Sequence, residues 1–414
     1  MNYLLVLNRL IIISILFFPL QNLGLSFFGS RYDITSFILL FLTLVVSMEN
    51  GKIEKNTIFF MFLFIYTQFL IFAINGTTPF YRTFSGMVWA GGLLLLILSR
   101  NRINYNPRRV YKTLLIVLFL TVALMLYQFI ILGDARPKGT FDEPSKAALV
   151  LFSGAVSIAG IIYLYNLKII HSLKMLIAFS IFFIGGLITL SMHIITFFIM
   201  VLLIIFLKPP FNLSSINNRQ LFLFSIVTVS LFYLVNLLFN FSINSSESLL
   251  TKIDVFNSLN NNLSVLSWRT GFDQMIASIN QSFIIGTGLG STGFIDFQSN
   301  NLNKLLYLTP MGLNLNDAYS LSFRLIIEIG LLLFIMIFYF FTRKLYILKK
   351  YLSTTTLTKQ YNESIPTTFI FLFSTSIIIG SLIKEPLYPA SPLYLATMLF
   401  VSIKINYNSK SING

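Results

Sequence analysis

Asn240 to Ser320 is the stretch whose reading decides the fold. It contains Trp268-Arg269-Thr270-Gly271-Phe272-Asp273, then Gly286-Thr287-Gly288-Leu289-Gly290-Ser291, then Leu315-Asn316-Asp317-Ala318-Tyr319. It is the longest segment too polar to sit in a bilayer. Around it run hydrophobic segments near Leu4–Leu20, Ile34–Met48, Thr57–Ile74, Phe84–Ser99, Val110–Leu132, Ala147–Tyr165, Leu173–Leu190, Ile194–Leu207, Leu221–Phe239, Leu321–Phe341, Thr367–Ile383 and Leu393–Ile403. This pattern predicts an all-α, polytopic integral membrane protein with about twelve transmembrane helices. Residues 240–320 then form one large loop between the ninth and tenth. The seventh and eighth segments are short and meet at Ser191-Met192-His193, so they read as two spans or as one bent segment. Spans satisfy their own backbone inside lipid, so chemistry is expected in the loops.

Composition points the same way. Of 414 residues, 56% are hydrophobic and 10% charged, with mean hydropathy +0.81. A soluble domain carries roughly 25% charged residues. The net charge of +15 would suggest nucleic acid in a soluble protein. Here no basic helix or stacking sheet stands free of the hydrophobic segments, and cytoplasmic loops of membrane proteins collect Lys and Arg. Nucleic acid is therefore not expected as a partner. With 0 cysteines, disulfides and thiolate chemistry are excluded. His171 and His193 are too few and too far apart for a His-rich metal site, so no metal or cofactor is expected. Arg9 before Leu10–Phe18 imitates a signal peptide, but without a small-x-small cleavage site it reads as an uncleaved first helix.

Charge sets the expected orientation. Arg100, Arg102, Arg108, Arg109 and Lys112 fill one loop, and Arg343, Lys344, Lys349, Lys350 and Lys359 another. Lys168, Lys174, Lys208 and Arg219 occupy two more. With twelve spans all of these lie on one side, which the positive-inside rule makes cytoplasmic, together with both termini. The loop Gly133–Lys146 and the stretch 240–320 then lie outside.

The outer loop Gly133-Asp134-Ala135-Arg136-Pro137-Lys138-Gly139-Thr140-Phe141-Asp142-Glu143-Pro144 packs cations, carboxylates and prolines closely together. It reads as a solvated turn or as a site for an anionic lipid-linked substrate, since arginine offers phosphate a planar fork. Arg269 reads either as a headgroup anchor beside Trp268 or as a second cation at that site, with Asp273 one turn on. The glycines of Gly286–Gly290 lack the strand and the Lys-Ser/Thr of a nucleotide loop. They read as a tight turn, with a nest of amides beside a phosphate as the functional version. Arg324 and Glu328 lie at i, i+4 at bilayer depth, where charges require a partner or a polar cavity. His193 reads as a satisfied polar residue or as a catalytic one.

The order of these pieces resembles the O-antigen polymerase and ligase superfamily. An outer Arg-x-x-Gly-Thr-Phe loop is matched by Arg136 to Phe141. An Arg opening a long segment that ends in Gly-x-Gly is matched by Arg269 to Gly288. A helix with Glu-x-Gly is matched by Glu328-Ile329-Gly330. The resemblance covers roughly Leu132 to Phe341. Two departures stand out: the family's Ser-Arg position reads Ser191-Met192, and the ligase His-Asn pair falls on Tyr319-Ser320. The missing His argues for the polymerase branch.

The resemblance implies a metal-independent glycosyltransferase of GT-C-like architecture in a bacterial inner membrane. It would face the periplasm and polymerise undecaprenyl-pyrophosphate-linked repeat units for lipopolysaccharide. A flippase and a chain-length regulator would be its partners, besides the membrane lipids. Arg136 and Arg269 are then the expected cations on the leaving pyrophosphate. Asp142, Glu143, Asp273 and Asp317 all qualify by location to take the acceptor proton, and Asp142 and Asp273 are the expected catalytic carboxylates. Lys138, Gly139, His193, Tyr319, Arg324 and Glu328 are expected to contact substrate. The competing readings are the ligase of the same superfamily and a polysaccharide flippase or transporter, which would need repeat symmetry and charges at mid-bilayer.

Overall fold

The computed structural model describes residues 3–21, 24–27, 30–48, 53–75, 78–165, 167, 169–189, 191, 193–207, 263–282, 285–309, 315–358, 361–385 and 390–403. The expected span Leu221–Phe239, the Asn/Ser-rich segment 242–262, and Lys168, Met192, Lys208, Arg219 and Lys359 lie outside them. The other expected spans are helical: α1 Tyr3–Phe17, α2 Ile34–Ser47, α3 Lys55–Asn75, α4 Phe80–Leu98, α5 Pro107–Ile130, α6 Pro144–Leu164, α7 Ile169–Ile188 and α8 Ile194–Leu207. Within the polar stretch lie α9, Leu263–Ser282, and α10, Asn300–Leu308. They are followed by α11 Leu321–Thr358, α12 Tyr361–Ile383 and α13 Ser391–Ser402. Among the described residues, α3, α4, α5, α6, α11 and α12 are long and apolar enough to cross a membrane. α1, α2, α7, α8 and α13 contain shorter apolar stretches.

The elements among the described residues are helical, as expected, apart from one short one. Between α1 and α2 the chain forms an antiparallel hairpin, Gly24–Phe27 against Ser30–Asp33, with Phe27 opposite Ser30. A search for long hydrophobic runs passes over so short a pair of strands. At the Ser191–His193 region the chain turns sharply between two separate helices: Phe183 of α7 and Phe197 of α8 lie 5.0 Å apart, ring centre to ring centre.

α6 and α12 form the centre. Of the apolar window in α6, 83% is buried; in α12 the share is 72%. Small residues let the neighbours close in: a Cβ at Gly154 would meet Leu118, and one at Gly160 would meet Leu372 and Ile204. Ser153 Oγ donates to Ser376 Oγ at 2.9 Å, and the Tyr165 and Thr368 hydroxyls meet at 2.8 Å. α3 is the opposite case, with 17% of its window buried and aromatic side chains exposed on most sides. In lipid such a surface is at home.

Contacts at helix termini define two ends. At one, Arg102 pairs with Glu54 and donates to Ser47 O, Asn106 N donates to Asn8 Oδ1, and Lys344 reaches Val401 O and Ile403 O. α1 begins and α13 finishes at this basic end. At the other, Asp33 caps α2 through Ser36 and also accepts from Ser391 N of α13, while Ser391 Oγ donates to Phe18 O. The loop 131–143, the α7–α8 turn and the segment after α12 gather here too.

Candidate functional site

The loop of residues 131–143 is pinned by its own motif. Gly139 has a left-handed backbone, φ +63°. This turns the Lys138 and Gly139 amides toward Gln128 Oε1 of α5, at 2.9 and 2.8 Å, and Gln128 Nε2 donates back to Gly139 O at 2.8 Å. Phe141 is fully buried, edge-on to Phe18. Gly139 and Phe141 are thus fasteners, and between them and α5 the exposed Arg136 is presented at the α7–α8 turn, its Nε donating to Thr189 O at 3.3 Å.

Around Arg136 stand ionisable side chains from four segments. Asp142 Oδ2 accepts from Lys146 Nζ at 2.6 Å, and Lys138 Nζ donates to the Asp142 carbonyl. Glu143 is open to solvent and accepts from Ser145 Oγ. His193, 1% exposed, meets Glu385 Oε1 through Nε2 at 3.2 Å and Thr196 Oγ1 through Nδ1 at 3.3 Å. Burial pulls the His193 ring below its usual range. Burial opposes the charge on Glu385, but His193, Lys146 and Lys384 outweigh it and hold that carboxyl down to about 2. Glu385 is therefore ionised and the neutral His193 ring donates Nε2–H to it. Although the Glu143 side chain reaches solvent, the protein packed around it and the charge of Glu385 push it up. Lys384 is pushed down by burial and by Arg136, against Glu385 and Glu143.

A second group surrounds Arg324. Its Nη1 meets Asp317 Oδ1 at 2.8 Å and its Nε meets Glu328 Oε1 at 3.0 Å, so the i, i+4 pair forms as expected. Glu328 is fully buried. Thr292 Oγ1 and the Gly290 amide also donate to it, while its Oε2 has no partner among the described residues. α11 is broken at Gly330, φ 83° and ψ 162°, a conformation that glycine alone adopts readily. The break frees the Ile327 and Glu328 carbonyls, and Thr287 N and Gly288 N cap them at 2.8 and 3.0 Å. Leu289 N donates to Gln68 of α3 and Ser291 N to Gly288 O. Gly286, Gly288 and Gly290 all have positive φ, as a nest requires. Its amides serve the protein's own carbonyls and the Glu328 carboxylate, not an outside phosphate.

Arg269 lies buried on α9, where burial pulls its charge down and Asp273, one turn on, opposes that pull. Asp273 also accepts from Asn301 of α10 at 2.9 Å. Trp268 packs on Phe272 and Phe323. Ala318 and Tyr319 have left-handed backbones, φ 53° and 61°, and a Cβ on Gly271 of α9 would strike Ala318 O.

The structure thus gathers Arg136, Lys138, Gly139, Asp142 and His193 in one group. Arg324 and Glu328 sit in the other, beside Tyr319, and Arg269 with Asp273 lies on α9. The segment after Leu382 links the two, because the Ser320 and Ser322 hydroxyls donate to Leu382 O just before Lys384 and Glu385. Sequence reasoning passed over Lys146, Lys384 and Glu385. The signal was present: two charged residues directly follow the Thr367–Ile383 span, on the side already assigned to Arg136. Among the described residues, no group of three or more His, Asp and Glu side chains is placed to hold a metal ion. No family model matches the chain, and no curated protein matches it.

Proposed function

We propose that the chain is an O-antigen polymerase, a glycosyltransferase joining undecaprenyl-pyrophosphate-linked repeat units on the outer face of a bacterial inner membrane. The observation that supports this best is the group around Arg136: a phosphate-gripping cation held by a pinned loop, beside a carboxylate free to take a proton. In this reading the acceptor sugar's hydroxyl oxygen attacks the anomeric carbon of the donor chain. The bond from that carbon to the pyrophosphate breaks, and its electron pair stays on the pyrophosphate oxygen. Arg136 stabilises the charge that develops there. The proton passes to a carboxylate. Asp142 is engaged by Lys146, and Asp273 by Asn301. Glu143, in contact with no cation among the described residues and raised toward neutrality, fits the role better. Placing the basic end in the cytoplasm follows the positive-inside rule and puts this group in the periplasm. A flippase supplying the units and a chain-length regulator are the partners this reading requires.

Gene deletion tests the reading. A polymerase mutant makes lipopolysaccharide with one repeat on core and no ladder; loss of every repeat means ligase or flippase, and an intact ladder sinks the proposal. Arg136→Ala should cost about 10²–10³ in polymerisation rate. Lysine there should restore only part of it, because a point charge does not reproduce the fork. Arg269 lies buried on α9 outside this group, so Arg269→Ala should act mainly on folding, read as a lower melting temperature. Lys112→Ala, exposed at the basic end, is the control. Arg102 is unsuitable, since it ties Glu54 to Ser47 O.

A further inference from the structure

Most cations at the site end are already engaged. Lys146 is held by Asp142, Arg324 by Asp317 and Glu328, and Lys138 by the Asp142 carbonyl. Lys384 differs. Its backbone continues the last turn of α12, donating to Gly380 O at 3.0 Å, and its side chain is half-buried. Among the described residues its ammonium makes no hydrogen bond. Arg136 is in the same condition: Nε is anchored on Thr189 O, and its two terminal nitrogens have no partner among the described residues. One turn supports both. Thr189 holds Arg136, and His193 holds Glu385, next to Lys384. Arg136 lies close enough to Lys384 to oppose its charge. Two cations held near each other by different elements repel; Glu385 and Glu143 offset part of this on Lys384, and a bound anion would offset the rest.

We propose that Lys384 and Arg136 form one anion site on the α7–α8 turn that takes a phosphate or pyrophosphate ester. The guanidinium supplies the planar fork and the ammonium a compact charge for the remaining oxygens. This rests on the proposed function only for the anion's identity, the leaving pyrophosphate of a lipid-linked chain. Glu143 is the exposed carboxylate whose charge reaches Lys384, and Glu385, Asp142 and Lys146 interact with it in turn; His193 is held on Glu385. A dianion bound there raises Glu143's affinity for a proton, as a base for the acceptor hydroxyl needs.

The test uses the purified full-length chain and two probes: inorganic pyrophosphate by titration calorimetry, and undecaprenyl pyrophosphate by native mass spectrometry. Lys384→Ala and Lys384→Gln should each weaken binding by about 10- to 100-fold, the scale of a charge-assisted hydrogen bond. A thermal melt of each variant checks that it is folded. Lys384→Arg should keep the affinity. Binding needs the ammonium form, so wild-type affinity should fall as pH rises through the lowered lysine value, and Lys384→Arg should abolish that fall. Binding of both probes marks a site for the phosphate moiety itself, and binding of the lipid probe alone marks a lipid-linked ligand; both support the site. Wild-type affinity in folded Lys384→Ala and Lys384→Gln, or no binding of either probe to the wild-type chain, overturns it. An unchanged lipopolysaccharide ladder after gene deletion would remove the polymerase reading while the titrations still decide on the site.

Discussion

Single residues carry two kinds of constraint here, backbone freedom and buried charge. Gly133 and Gly286 both have positive φ, at +69° and +79°, but a Cβ on Gly133 meets nothing within 4 Å, whereas one on Gly286 meets Gly330 N at 2.5 Å and Glu328 O at 2.7 Å. Gly133→Ala should therefore cost about 1 kcal/mol from backbone strain alone. Gly286→Ala should cost about 3 kcal/mol or more, because strain and overpacking add. Thermal melts in detergent compare them, and equal losses would mean that the glycine loop is not clasped to α11. The His193–Glu385 pair sets an acid limit. His193 titrates below 6.5 in the folded chain, so on acidification the unfolded chain binds the proton first, and stability falls from about pH 6.5 downward. Glu385, depressed from 4.5 to about 2, stabilises above 4.5 and loses that contribution as pH falls toward 2. His193→Gln should flatten the upper part of the melting-temperature profile and weaken the lower part as well, because His193 is the first of the groups that hold Glu385 down. A profile unchanged in the variant would show that His193 is not buried as a neutral ring.

At the scale of elements, the glycine loop and the break in α11 are one device. A helix interrupted inside a bilayer must have its freed carbonyls satisfied, and the loop amides of Thr287 and Gly288 do this. The broken turn places Glu328 under Gly290 and Thr292, and Arg324 between Glu328 and Asp317. Gly330→Ala should shift the chain away from φ 83° and release the loop. Hydrogen exchange at the Thr287 and Gly288 amides should then accelerate at least about tenfold, the factor that weakening local stability by about 1.4 kcal/mol produces. Unchanged protection there would mean that the loop holds its shape without the break.

At the scale of the molecule, two chemically different ends follow from the alternating course of the helices. Because the chain has 0 cysteines, single cysteines report sidedness without a background. If the chain lies in a bacterial inner membrane as proposed, a membrane-impermeant thiol reagent should label Asn303→Cys on α10 in cells with a permeabilised outer membrane. It should label Lys112→Cys at the basic end only after the inner membrane is opened. Labelling of both from one side would contradict the assignment of the two ends. α3, mostly bare and clipped to the bundle through α4 and through Gln68 on the Leu289 amide, should tolerate apolar exchanges on its exposed face. Phe62→Leu should change the melting temperature little, as substitutions away from packed surfaces usually do.

The hydrophobic runs by themselves located the apolar helices among the described residues, because a helix in lipid must be apolar along its length; they did not fix every end, since α11, expected to stop at Phe341, runs on to Thr358 through a basic segment. The Lys and Arg asymmetry likewise marked the basic end, and i, i+4 spacing marked the Arg324–Glu328 pair. Only the tertiary structure decided which charged residues meet. His193 and Glu385 are 192 positions apart, and an apolar helix surface says little about which other helix it will face. For the same reason the glycine run was legible as a turn, but its anion was not, since Glu328 arrives from a different element. The hairpin after α1 and the joining of Lys384 to Arg136 belong to this class: each depends on contacts between segments whose own sequences satisfy every local rule without them.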